Sequence, residues 1–314
     1  MSLVLQLDNT RWQTHLTEFA TGINLVPVIK GNGYGLGFPK LVAEVNRLNL
    51  EMIAVDTFAE AAQLRQIWGK QILVMQPVRA TDDYSDPNLI LTVDNHSPKV
   101  STPVVIELQT KLQRFGVELS DLKNFADYQI LGYGVHLPIG DNTNFSFAKA
   151  IAEELPDETV FVSHLTKSEL AQLPNAVLRV GTSFWLGDRT ALSMYGEVLE
   201  VRTVSGKLGY GQVKNAKEIA VISGGTRHGI GMRAPTMPAN TRQRLVALGL
   251  GFYEAIRKAR SPFYLGSKSL AFADTPHMNV SLVQLPKNHH VKVGDKVLVR
   301  ARYTTTYPDF IVEI

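Results

Sequence analysis

Short apolar runs separated by helical patterns fill roughly the first 190 residues. Continuous runs of four to seven mostly apolar residues are typical of strands buried on both faces of a parallel sheet. Eight such runs with helical periodicity between most of them predict a parallel (β/α)8 barrel of the TIM type over residues 8–190. The runs are 26–30, 52–55, 72–75, 89–93, 104–108, 130–136, 159–163 and 176–180, and helices are expected at 9–19, 39–48, 58–67, 147–155 and 168–173.

The pattern changes at about residue 190. Apolar runs become shorter and are rarely followed by a helical pattern, which predicts a mostly β carboxyl-terminal domain over 191–314, with residues 1–7 as a candidate addition. Strands are expected at 196–201, 219–222, 270–273, 279–283, 297–299 and 310–313, with one long helix at 242–258.

Composition narrows the classes of protein. The net charge of +3 without a run of Lys or Arg argues against a nucleic-acid-binding role. The sequence has no cysteine and no apolar run near the ~20 residues that a membrane helix needs. The first residues lack the features of a signal peptide. The pair His289-His290 has no third ligand at a usual spacing, so we expect no metal site. A cytoplasmic enzyme acting on a small molecule, without a membrane partner, is the expectation.

Four polar residues fall at the carboxyl ends of predicted strands, where a barrel of this type carries its active site: Lys30, His136, Ser163 and Arg179. Lys30 precedes a loop with glycine at 31, 33, 35 and 37. A strand-end lysine can extend its amine into solvent, or burial can make it a nucleophile that forms a Schiff base. This stretch alone leaves both interpretations open.

The loops after the seventh and eighth predicted strands supply small donors. Ser163-His164 and Gly181-Thr182-Ser183 offer hydroxyl and backbone N–H groups of the kind that bind phosphate. A Schiff-base lysine together with a phosphate site points to pyridoxal 5'-phosphate (PLP) as the cofactor.

These motifs resemble those of the fold-type III PLP enzymes of the alanine racemase type. The segment 28–35 resembles the family's PLP-lysine signature, which implies that Lys30 forms the Schiff base and Tyr34 binds phosphate. The segment 110–116 resembles the one whose arginine, here Arg114, holds the phenolic oxygen of the cofactor and contacts the substrate. By the same resemblance, His136 stacks behind the pyridine ring, Ser163 and His164 bind phosphate with Gly181 and Thr182, and Arg179 faces the pyridine nitrogen.

Arg179 bears on mechanism. An arginine does not give up its proton, so it would leave the pyridine nitrogen unprotonated and the cofactor a weaker electron sink. The alternative interpretation of Arg179 is an ion pair that closes the barrel.

At two positions where the family has a functional residue, this chain has a different one. In the family a tyrosine of the partner subunit protonates the second face of the substrate, and at that position this chain has Thr226. His228, two residues on, is a candidate replacement, because both side chains could face the site from a loop. The alternative is a histidine that binds its own backbone. Tyr253 and Tyr264 are more remote candidates.

Met278 matches a methionine whose backbone meets the substrate carboxylate. Glu107 matches a lysine that is often carbamylated, and we expect it to hold Arg114.

The resemblance therefore implies a PLP-dependent amino-acid racemase that acts as a homodimer with shared active sites. Two alternatives stay open because of Thr226. One is a diverged PLP enzyme with one-sided chemistry, such as an epimerase, lyase or decarboxylase. The other is a PLP-binding protein without turnover.

Overall fold

The computed structural model describes residues 2–210, 218–234, 237–238, 240–256 and 259–314. Strand β1 (Leu3–Leu7) and helix α1 (Asn9–Ala20) begin the chain. The chain divides into two compact units, one made of residues 13–187 and the other of residues 1–12 with 188–314.

Eight parallel strands form the sheet of the 13–187 unit, in the order β2-β9-β8-β7-β6-β5-β4-β3. A parallel bridge from Val28 to Ala54 and a 2.8 Å hydrogen bond from the Ile29 N–H to the Ala54 carbonyl join the two end strands. The predicted parallel barrel is therefore confirmed, and each strand overlaps a predicted run. The strands are β2 (Leu25–Pro27), β3 (Met52–Val55), β4 (Gln71–Pro77), β5 (Leu89–Val93), β6 (Val104–Glu107), β7 (Ile130–Val135), β8 (Val160–Val162) and β9 (Ala176–Val180).

Helices occupy only some of the connections between these strands. They are α2 (Phe38–Arg47), α3 (Phe58–Arg65), α4 (Asn144–Glu154), α5 (Lys167–Leu170) and α6 (Thr182–Trp185), with a 3₁₀ segment at Leu119–Phe125. The predicted helix 168–173 is a single turn. A capping box starts α3: the Thr57 side chain accepts from the Glu60 N–H, and the Glu60 carboxylate accepts from the Thr57 N–H.

Apolar side chains fill the inside of the barrel. Val26, Val28, Leu73, Val105 and Phe161 belong to one buried cluster. All residues of β5, β6 and β8 are buried, as expected of strands covered on both faces. The interior is therefore mostly apolar, and polar residues lie toward the carboxyl ends of the strands.

The second unit is mostly β, as predicted. Strand β1 lies between two partners, antiparallel to β10 and parallel to β16, although residues 3–7 were expected only to join this unit and no strand was predicted there. Strand β12 was also not predicted, and the predicted end of the long helix, Lys258, lies outside the described residues. The elements are β10 (Leu192–Thr203), β11 (Glu218–Ser223), α7 (Thr241–Ala255), β12 (Arg260–Leu265), β13 (Lys268–Ala271), β14 (Val280–Gln284), β15 (Lys296–Val299) and β16 (Phe310–Glu313).

Candidate active site

Lys30 lies just beyond β2, past the bridge that closes the barrel, and therefore at the rim where the strands end. Its side chain is 38% exposed, and its Nζ lies 3.8 Å from Oδ2 of Asp56. Asp56 directly follows β3. A 2.6 Å hydrogen bond from the Gly31 N–H to Glu60 Oε1 ties the glycine-rich loop to the first turn of α3. Lys30 is thus a half-buried lysine with an acidic partner.

Tyr34 and Gly181 lie against each other. A Cβ atom on Gly181 would lie 2.1 Å from the Tyr34 hydroxyl, so the approach requires glycine. Burial, followed by the charges of Glu60 and Asp56, raises the pKa of Tyr34, which keeps the phenol protonated as a donor. Thr182 begins α6, and the Trp185 indole N–H in the same helix donates to the Val28 carbonyl at 2.8 Å. The structure therefore brings Tyr34, Gly181 and Thr182 together beside β2.

His136, Ser163 and His164 follow β7 and β8. The Ser163 hydroxyl is buried and accepts the Leu137 N–H at 2.9 Å. The rings of His136 and His164 meet edge to face with centroids 6.1 Å apart. Burial first, and then the charges of Arg179 and Arg114, lower the pKa of His136 to about 4. His136 is therefore neutral at neutral pH, as an aromatic stacking partner should be.

Arg179 and Glu107 form a buried ion pair. The Arg179 Nη1 lies 3.3 Å from the Glu107 Oε2, and their side chains are 2% and 9% exposed. A Cβ atom on Gly134 would lie 2.2 Å from the same oxygen, so this glycine leaves room for the pair. The ion pair named above as the alternative for Arg179 is therefore present, and it occupies one of the three guanidinium nitrogens.

The other two nitrogens of Arg179 are the notable feature of the site. Nε and Nη2 are buried and have no hydrogen-bond partner among the described residues. A buried donor without an acceptor costs ~1–3 kcal/mol, more for a charged group. The two N–H groups together form a fork that suits an acceptor inside the barrel mouth.

Arg114 is paired differently from the expectation. Its Nη2 lies 3.6 Å from Asp56 Oδ1, while Glu107 contacts Arg179. The predicted contact between Glu107 and Arg114 is therefore wrong. Sequence reasoning did not select Asp56, although its place directly after a strand was a signal of the same kind that selected Lys30.

Thr226 and Met278 belong to the second unit, where they lie on adjacent segments. The Thr226 N–H donates to the His277 carbonyl at 2.8 Å, and the Arg227 N–H donates to the Met278 carbonyl at 3.0 Å. Thr226 and Tyr264 both line a cavity of about 1410 Å³ in this unit. The Met278 side chain is 68% exposed.

His228 is held inside the second unit. Its Nδ1 accepts the Gly225 N–H at 3.1 Å, so its Nε2 carries the proton and donates to Asp309 Oδ2 at 3.0 Å. Burial opposes the ionisation of Asp309, but hydrogen bonds from the Leu3 N–H and from His228 lower its pKa. The ring is 3% exposed and both nitrogens are occupied. The geometry contradicts the expectation that His228 faces a substrate, and it matches the alternative of a histidine bound to its own backbone.

The barrel site suits PLP on three counts. The Arg179 fork offers donors to a ring nitrogen, the Tyr34 hydroxyl beside Gly181 offers a donor for a phosphate, and the Lys30 amine lies at the same rim. The described residues contain no group of three or more His, Cys, Asp or Glu side chains arranged to hold a metal ion. Among the helices in these same ranges, none has the length and apolar character that would let it cross a membrane.

Comparison with known proteins agrees with this geometry. Residues 8–148 match the family model of the alanine racemase amino-terminal domain. An alanine racemase of Campylobacter concisus is 24% identical over 235 residues, which cover 62% of this chain and 68% of the relative.

Solved structures show the same fold. The alanine racemase of Bartonella henselae, with covalently bound pyridoxal phosphate, has a TM-score of 0.73 at 15% identity, with 100% of both chains covered. The enzyme of Corynebacterium glutamicum has a TM-score of 0.69 at 18% identity, with 99% of each chain covered. The chain therefore resembles alanine racemases: the family model matches its residues 8–148, and its fold is that of the solved alanine racemases.

Proposed function

We propose that this protein is a PLP-dependent amino-acid racemase in which Lys30 carries the cofactor. The observation that supports this most directly is the buried, unpartnered fork of Arg179. Such a fork is costly unless an acceptor completes it, and the ring nitrogen of PLP is an acceptor of the right size. The relation to alanine racemases supports the same class of reaction.

PLP, when bound, would supply the electron sink that makes the substrate Cα–H acidic. Arg179 would donate to the ring nitrogen without protonating it, which limits carbanion build-up and side reactions. Neutral His136 would support one face of the ring. Lys30 would accept and return the Cα proton on one face. Arg114 would hold the phenolic oxygen and the substrate carboxylate, and the phosphate would be held by Tyr34, Ser163, His164, Gly181 and Thr182.

The second face of the substrate requires a homodimer in this proposal. The segments carrying Thr226 and Met278 would complete the site of the partner subunit, with the backbone of Met278 at the substrate carboxylate. Size-exclusion chromatography with light scattering tests the assembly directly, and a monomer at micromolar concentration would contradict it.

One-sided chemistry is the second candidate, and the surroundings of His228 favour it. Both ring nitrogens of that histidine are occupied, and a threonine hydroxyl at 226 is too weak an acid to titrate near neutral pH. An enzyme without an acid on the second face would exchange the Cα proton and keep the configuration.

Two measurements test the proposal. The purified protein should bind PLP, and borohydride should fix the cofactor on Lys30, as peptide mass spectrometry would show. A Lys30→Ala variant that still fixes cofactor covalently would refute the assignment. Incubation with single L-amino acids in deuterated water then separates the candidates. Deuterium at Cα with inversion supports a racemase, deuterium with retained configuration supports one-sided chemistry, and no exchange with any amino acid supports a binding protein.

A further inference from the structure

A single carboxylate lies between the two basic residues that would handle cofactor and substrate. Asp56 Oδ2 is 3.8 Å from the Lys30 Nζ, and Asp56 Oδ1 is 3.6 Å from the Arg114 Nη2. The two oxygens of one side chain thus face two different cations. No other described carboxylate is within 4 Å of either Lys30 or Arg114.

The neighbouring acids are already engaged elsewhere. Glu107 is paired with Arg179 inside the barrel. Both oxygens of Glu60 accept backbone N–H groups: Oε1 from Gly31 at 2.6 Å, and Oε2 from Asp56 at 2.9 Å and Thr57 at 3.1 Å. The charge of Asp56 is therefore not duplicated by either acid.

The backbone fixes where the Asp56 carboxylate lies. Its N–H is bound by Glu60, and its carbonyl accepts the Gln76 N–H from β4 at 3.0 Å. The side chain is only 32% exposed, and Oδ1 is buried with no hydrogen-bond partner of its own among the described residues. A buried carboxylate oxygen that meets only a guanidinium 3.6 Å away is poised to shorten that contact.

We propose that Asp56 is a positioning residue that stabilises the protonated form of the Lys30 amine and orients the Arg114 guanidinium. In the cofactor-free protein, the Asp56 carboxylate faces the Lys30 amine at the rim. During the reaction, which rests on the function proposed above, Asp56 would stabilise Lys30 after the lysine has taken the Cα proton. The anionic support that we expected from Glu107 is thereby supplied from the end of β3.

Several other charged groups surround Lys30 and have to be counted. Glu60 opposes loss of the proton, as Asp56 does, while the cations favour loss. Removal of Asp56 therefore takes away the one carboxylate among the described residues that lies within 4 Å of the Lys30 amine. The groups are Glu60 on α3, Arg114 between β6 and β7, Glu107 and Arg179 as a buried pair, and the imidazoles of His136 and His164.

The test is the reactivity of Lys30 in the cofactor-free protein. Acetic anhydride at one fixed pH acetylates free amines, and mass spectrometry compares Lys30 with the exposed Lys99 in the same sample. Asp56→Asn removes the charge without changing the shape. It should raise the relative rate at Lys30 at least about sixfold, the factor that Coulomb's law gives for 3.8 Å in bulk water.

Asp56→Glu and Asp83→Asn are the controls. Asp56→Glu keeps the charge and should restore slow acetylation, which a merely structural role of Asp56 would not require. Asp83 lies in the segment between β4 and β5 and contacts Ser85, so Asp83→Asn should leave Lys30 unchanged. Equal Lys30 rates in wild type and Asp56→Asn would overturn the proposal, as would a faster rate that Asp56→Glu shares.

A second readout uses the PLP-loaded protein. In Asp56→Asn the pH midpoint of the absorbance change of the bound cofactor should fall relative to wild type, and in Asp56→Glu it should be retained. The two readouts separate the proposals. If Lys30 reactivity responds but PLP never binds, the proposed function fails and the role of Asp56 stands. If PLP binds and neither readout responds, the role of Asp56 fails.

Discussion

Breaking the buried pair of Glu107 and Arg179 should strongly destabilise the cofactor-free barrel. Glu107→Gln is the perturbation, because it removes the charge while keeping the shape of the side chain. The partner Arg179 would remain 2% exposed with a positive charge and no carboxylate, in addition to its two unpartnered nitrogens. The loss of the pair therefore exposes the full cost of burying a guanidinium.

The magnitude follows from the geometry. At 3.3 Å and an effective dielectric constant of about 20, the Coulomb attraction is about 5 kcal/mol. Removing one partner of a buried pair typically costs about 3–5 kcal/mol. Since glutamine keeps an acceptor for Arg179, we expect about 3 kcal/mol. With a denaturant dependence near 3 kcal/mol per molar, the urea midpoint should fall by about 1 M.

The assay is urea unfolding of the cofactor-free protein, with hydrogen–deuterium exchange of the peptides that contain β6 and β9 to locate the loss in the barrel. Asp127→Asn is the matched control, since the pair of Lys99 and Asp127 is 70% and 80% exposed and should contribute nothing measurable. The double variant Glu107→Leu with Arg179→Met should recover most of the lost stability. An unchanged midpoint in Glu107→Gln, or additive losses in the double variant, would refute the reasoning.

Three further sites give the remaining predictions. Gly181→Ala should weaken PLP binding at least tenfold, measured by cofactor fluorescence, because its Cβ would displace the Tyr34 hydroxyl. Gly69→Ala is the control: its Cβ position has open space around it, so this variant should bind PLP as the wild type does. Because the pKa of His136 is low in the folded state, the folded protein should lose stability as the pH falls from about 6.5 to about 4. With a discount for partial exposure, the loss is roughly 1.5 kcal/mol. Urea unfolding of His136→Gln at several pH values should not show this loss. His228→Gln should lower the melting temperature and speed hydrogen exchange in β11, because the Gly225 N–H and Asp309 lose their partner; unchanged stability with abolished Cα exchange would instead support a catalytic role.

The barrel could be predicted from the sequence because each buried parallel strand can be recognised from its own apolar run. Runs such as 72–75 and 104–106 are apolar at every position, since both faces of the strand are covered. Residues 3–7 carry the other pattern, with Leu3, Leu5 and Leu7 fully buried between partly exposed neighbours. Their partners in β10 and β16 lie almost 190 and more than 300 positions away. The segment alone therefore does not show with which strands it pairs.

The sequence could not show which acidic residue pairs with which basic residue of the site, because these pairs also join distant segments. The sequence pointed to Lys30 and Arg179 because a cation at the end of an apolar strand is unusual in itself. Which acid meets which cation depends on the order of the strands around the barrel. Glu107 ends β6 and extends inward to Arg179, whereas Asp56 directly follows β3 and is the acid that meets Lys30.

The same limit explains why the sequence could not place His228, the candidate replacement for a catalytic tyrosine. The spacing of two residues suggested that Thr226 and His228 share a face, as they would in an extended loop. The structure has a single 3₁₀ turn there, Thr226–His228, and a 3₁₀ helix turns by about 120° per residue. Side chains two positions apart therefore point in directions about 120° apart, so His228 is buried against Asp309 while Thr226 lines the cavity. If the enzyme has an acid for the second face of the substrate, Tyr264 is a candidate, because it and Tyr307 are the phenols that line this cavity. Tyr264→Phe tests it: loss of inversion with retained Cα exchange would identify that acid, whereas unchanged inversion would exclude it.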